Sequence, residues 1–149
     1  MRDNRFVAVH RGGLLTKNQH HQLMNWAHDC VLHVFTLLGE KTDQPLVHSL
    51  TLAKAWVNGQ TTVGEARQAS VEAIKIANNT SDPVTKALAR AVSHAAATAH
   101  MADHALRAIT YTLKAVELSG LSMESEKKWQ DEHLSLGIRE MIKSVWNKI

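Results

Sequence analysis

Residues Ala87–Ala115 read ALARAVSHAAATAHMADHALRAITYTLKA, a run dominated by Ala, the best helix former. Neither Gly nor Pro interrupts the chain between Pro83 and Gly120. An unbroken helix of that length, rising about 1.5 Å per residue, would exceed ~50 Å, which no compact domain of this size accommodates. The run therefore predicts two close-packed helices with a break near His100–Asp103, Asp103 capping the second. Alanines at a helix contact let backbones approach closely. Polar groups among them must find partners or form a site. His94, His100, Asp103 and His104 are those groups, and on one continuous helix the last three would share a face at i, i+3 and i+4.

Helix signals recur along the rest of the chain. Thr16-Lys-Asn-Gln19 is a capping box, followed by Leu23, Trp26, Ala27, Cys30, Val31, Val34, Phe35 and Leu38 at helical spacing until Gly39. Asp43 and Pro45 open a second helix that ends at Gly59. Thr62-Val-Gly-Glu65 is another capping box, starting a third helix through Ala66, Ala69, Ala73 and Ala77. Residues 122–149 predict one or two shorter helices interrupted near Leu136-Gly137. Trp26, Trp56, Trp129 and Trp146 fall at apolar positions and are expected to anchor the core. The fold class is thus all-α, a single bundle of five to seven helices over residues 1–149 with the Ala-rich pair at its centre. Residues 1–14 lack helical periodicity and are expected to form an extended, mobile arm laid over the bundle.

The chain of 149 residues is 44% hydrophobic and 21% charged, the balance of a folded globular protein. Its single Cys30 excludes an internal disulfide. The first residues carry no signal-peptide core and no run reaches the ~18 apolar residues of a membrane span, so a cytoplasmic location is expected. The net charge of +3 resides in residues 1–20, where Arg2, Arg5, Arg11 and Lys17 face only Asp3. No basic stripe with interleaved aromatics follows, which argues against nucleic acid as a partner.

Ten histidines invite a metal reading, with His100 and His104 supplying two ligands and Asp29 and His33, beside Cys30, two more. His28-Asp29 matches the doublet of helical metal-dependent phosphohydrolases, in which His10 or His20 and Asp103 would complete the set. Yet neither H-E-x-x-H nor paired Glu-x-x-His occurs, and no cofactor motif is present. The plainer reading pairs Asp103 with Arg107 at i+4 and satisfies His94 and His104 locally. No nucleophile is set up: Cys30 lies on an apolar stripe, and Gly12-Gly13 lacks the strand and helix of a phosphate loop.

Several blocks carry a family resemblance. LAKAWVNGQTTVGEARQA (52–69), ARAVSHAAATAHMADHALRA (89–108) with YTLKAV (111–116), KWQDEHL (128–134) and HRGGLLTKNQH (10–20) resemble the immunity-five-like immunity proteins of bacterial polymorphic toxin systems. That resemblance implies an all-helical, non-enzymatic module that neutralises a cognate toxin by binding it. It maps His94, His100 and His104 as signature positions and carries over no catalytic residues. The candidate binding residues are therefore His94, His100, Asp103 and His104, together with Arg5, Phe6 and Arg11 on the basic arm, residue types that anchor interfaces. The near-neutral charge argues against an acidic inhibitor that mimics nucleic acid. A small metal-dependent enzyme and a ligand-binding helical domain are the alternatives at this stage, and self-association into a homo-oligomer stays open.

Overall fold

A computed structural model describes residues 2–39 and 43–146. Among them are seven α-helices and no strand: α1 (Lys17–Leu38), α2 (Gln44–Val57), α3 (Val63–Asn79), α4 (Pro83–Ala97), α5 (His104–Leu118), α6 (Met123–Glu132) and α7 (Leu136–Trp146). Local chemistry sets most boundaries. Thr16 and Gln19 form a complete capping box, each side chain accepting from the other residue's amide, and Gly39 ends α1 in the left-handed conformation. Thr62 caps α3 through the Glu65 amide, while the Glu65 carboxylate turns instead to accept from the Thr61 hydroxyl. Asp82 caps α4 ahead of Pro83 at its first position.

The Ala-rich pair is central. Nine residues of α4, from Ala87 to Ala97, are buried on nearly every side of the helix, as expected of an element enclosed by neighbours. Its most extensive contacts are with α5 and α3, and α1 and α2 complete the enclosure. The buried face of α3 consists wholly of alanines, Ala66, Ala69, Ala73 and Ala77, so α3 and α4 meet almost backbone to backbone. Close approach brings carbonyls within reach of hydroxyls. Ser93 donates to the Ser70 carbonyl at 2.9 Å, and Ser49 donates to that of Ala69 at 3.1 Å. Bulk is supplied by α1 and α7, whose Leu23, Trp26, Val31, Phe35, Ile138, Ile142 and Trp146 fill the main core.

The N-terminal segment departs from the expected extended arm. It is a compact hook of two 3-10 turns, Asn4–Phe6 and Val9–Arg11, closed by a bridge between Ala8 and Leu15. The hook is folded because it carries two core anchors, Phe6 (2% exposed) and Leu15 (1% exposed). Glycine is required at its return: a Cβ on Gly13 would sit 1.9 Å from the Val7 carbonyl oxygen. The C-terminal break also differs slightly. It falls at His133–Ser135, and Leu136-Gly137 begins α7 rather than interrupting a helix.

Candidate functional site

The break in the Ala-rich run lies at 98–103, so His100 sits in the turn and His104 is the first residue of α5. His100, Asp103 and His104 consequently do not share a helical face. The reversal of the chain instead places His104 against His94 of α4, with their Nδ1 atoms 2.9 Å apart. One Nδ1 must donate and the other accept, so the contact requires at least one neutral ring. The row extends in both directions: His100 lies 5.5 Å from His104 between ring centres, and Tyr111 stacks on His94 at 5.5 Å and 5°. The Arg90 guanidinium lies over the Tyr111 ring.

Asp103 occupies the N-cap position of α5, but its side chain caps nothing. It pairs with Arg2 at 3.2 Å and not with Arg107, so it fastens the hook to the α4–α5 turn. Arg5 likewise serves the hook, forking onto Asp3 and donating to Ser144 of α7. Phe6 is buried in the core at 2% exposure.

Burial pushes the His94 imidazole down to about 4, helped by the nearby His104, Arg107 and Arg90; His100 and His104 are lowered by the same main cause. An unfolded imidazole takes up its proton near pH 6.5, well before folded His94 does. His94 therefore contributes stability that is full above about pH 6.5 and declines as the pH falls toward 4, where the loss levels off. The ring is only partly enclosed and solvent screens it, leaving an expected loss of about 1–2 kcal/mol. Urea unfolding at pH 7.5 and pH 4.5 checks this against His94→Phe, where wild type should lose that much more stability than the variant. An equal loss in the two proteins would contradict it.

The proposed metal ligands do not converge. His28 turns to its neighbour Asp29 at 2.8 Å, and His33 faces the Glu126 carboxylate of α6 at 2.8 Å. Among the described residues no three His, Cys, Asp or Glu side chains cluster as a metal site. Cys30 is buried, and desolvation beside Glu126 and Asp29 pushes its thiol well above the ordinary range, so it is a packing residue rather than a nucleophile.

Two groupings were not foreseen. The first is polar and buried. Glu126 (2% exposed) accepts from Gln130 Nε2, which also donates to Thr112, while the Trp26 indole donates to the Gln130 carbonyl at 2.8 Å. Trp129 is only partly buried and lies between the His33 and His133 rings, centroids 3.6 and 3.8 Å away. Trp56, expected in the core, is also partly exposed and packs against His20 and His21.

The second is a groove of about 890 Å³ at one end of the bundle. Five segments wall it: the hook at 8–11, the start of α1, the end of α2 from Trp56 to Gly59, the start of α3, and the α4–α5 turn. Of the candidate binding residues it brings together Phe6, Arg11 and His100, leaving His94, Asp103, His104 and Arg5 outside its lining. His20 is fixed in its floor by a bond from Nε2 to the Thr98 carbonyl, and burial lowers its ring below the usual imidazole range. Chain signals for this groove were faint: the His20-His21 pair, Lys17 and Trp56-Val-Asn-Gly59 lie far apart in sequence and meet only in the fold.

The sequence profile of a family described as "Imm-5 like putative immunity protein" matches residues 13–136. No curated protein and no solved structure matches the chain.

Proposed function

The chain belongs to the Imm-5-like family of immunity proteins, and from that premise we propose that it neutralises one cognate bacterial toxin by direct binding in the cytoplasm of the cell that makes both. The observation that carries this reading is the extent of the family match, which spans α1 to α6 and the first residue of α7. An immunity protein of this kind is not an enzyme. It acts by occupancy, covering or distorting its target's working surface, so its requirements are a rigid shape and a complementary face.

The fold meets the first requirement. An enclosed α4, a hook pinned by Phe6 and Leu15, and caps at the starts of α1, α3 and α4 leave little to be ordered on binding. Among the described residues no helix is long and apolar enough to cross a membrane, which accords with a toxin met in solution. A stable complex of this class buries about 1,200–2,000 Å² in total and concentrates its energy in a few aromatic and Arg side chains.

Co-expression tests the reading. The product of the adjacent toxin gene should kill the cell when expressed alone and be harmless when this protein accompanies it. A product that is harmless alone, or that still kills in the presence of this protein, would refute it.

A further inference from the structure

We infer that the groove at the hook end of the bundle is the toxin-contacting surface, and that it receives an acidic segment of the toxin. This rests on the immunity reading above. Arg2, Arg11 and Lys17 line the groove together with four histidines, and among the described residues no Asp or Glu does. Arg2 is already matched by Asp103. Arg11 and Lys17 are exposed and make no ion pair with any described residue, so their charge is free for a partner. Of the carboxylates on the groove's own segments, Asp103 is paired with Arg2, and Glu65 lies outside the lining, accepting from the Thr61 hydroxyl. Helix dipoles do not set the sign, since α1 and α3 begin here while α2 and α4 end here. The side chains decide it, and they are uniformly cationic or neutral.

The apolar content points to a protein rather than a bare anion. Trp56 forms one wall with its ring only partly buried, and Val9 and Val63 line the opening with 59% and 42% of their surface exposed. A half-buried Trp flanked by exposed valines and unpaired cations is the composition of an interface centre. His100 adds a further acceptor or donor. Its Nδ1 is buried without a partner at the groove's inner edge, next to the turn that Arg2 and Asp103 hold in place.

The test uses the full chain with the double substitution Arg11→Glu/Lys17→Glu, which touches no core residue and no internal pair. Affinity for the toxin domain encoded by the adjacent gene should fall at least ~30-fold, with an unchanged urea midpoint, because like charges then face each other across the interface. In parallel, hexaglutamate added to ¹⁵N-labelled wild-type protein should shift the Trp56 indole and the Lys17 and Thr62 amides, whereas hexalysine should not. If the double variant binds toxin as tightly as wild type, the groove is not the contact surface, although toxin binding itself stands. If inorganic phosphate shifts the same signals as strongly as hexaglutamate, the groove is a phosphate site and the inference is overturned. Should wild type form no complex with the toxin, the immunity reading fails first. Hexaglutamate then judges the groove alone: shifts confined to it uphold an acidic-peptide site, and none overturn it.

Discussion

Trp26→Ala should lower the unfolding free energy by about 3–5 kcal/mol, the loss usual for a fully buried large aromatic. Trp26 is 3% exposed and lies at the junction of three helices. Its ring packs against Trp146 of α7 with centroids 5.4 Å apart, and its indole N–H donates to the Gln130 carbonyl of α6. Truncation would open a cavity and take from the Gln130 carbonyl its indole donor, leaving it only the His133 amide at 3.3 Å. Trp56 provides the control. It is partly exposed in the groove wall, meets His20 and His21 at tilted and edge-on angles and packs on the edge of the small cluster around Met24 and Ala66, so Trp56→Ala should cost less, about 1.5 kcal/mol. Urea denaturation of both variants checks the contrast. Equal losses would mean that the division between core and groove tryptophans is wrong.

Gln130→Ala is expected to cost about 2–4 kcal/mol, more than the volume removed would predict, because it strands a buried charge. Gln130 is fully buried, and its Nε2 donates both to Glu126 and to Thr112. Without it the Glu126 carboxylate keeps only His33, which approaches at 2.8 Å in a geometry too bent for a hydrogen bond. Buried ion pairs and polar networks are dispensable as a set and costly when half dismantled. Glu126→Leu/Gln130→Leu should therefore recover most of the stability that Gln130→Ala loses. Thermal or urea unfolding of the two proteins decides the matter. A double variant as unstable as the single one would show that the network itself, rather than its completeness, carries the stability.

What the chain disclosed in advance was local. The starts of α1, α3 and α4 are short-range bonds between residues three apart, Thr16 with Gln19, Thr62 with Glu65 and Asp82 with Thr85. The break in the Ala-rich run was legible because helix length is a hard geometric quantity, and the run could not remain one rod. Long-range pairings were not legible. Asp103 looked like a helix cap with Arg107 one turn away, yet Arg2, a hundred and one positions distant, takes its carboxylate. The hook looked extended because Phe6 and Leu15 have no helical period, and only the tertiary core explains why they are buried. Glu126 stands in so polar a helix that nothing marked it as buried; its i, i+4 relation to Gln130 was the one trace. The groove is the extreme case. Arg11, Lys17, Trp56 and His100 come from four separate segments, and their meeting is a property of the fold.

If protection comes from occupancy by a rigid folded surface, it must be stoichiometric. The most direct measurement is a titration of the toxin's activity with the purified protein. Inhibition should rise linearly with added protein and be complete at one equivalent, and the toxin should be recovered intact and active after dissociation. Complete protection by a small fraction of an equivalent, with the toxin left chemically altered, would mean that the protein works as a catalyst and would contradict the claim.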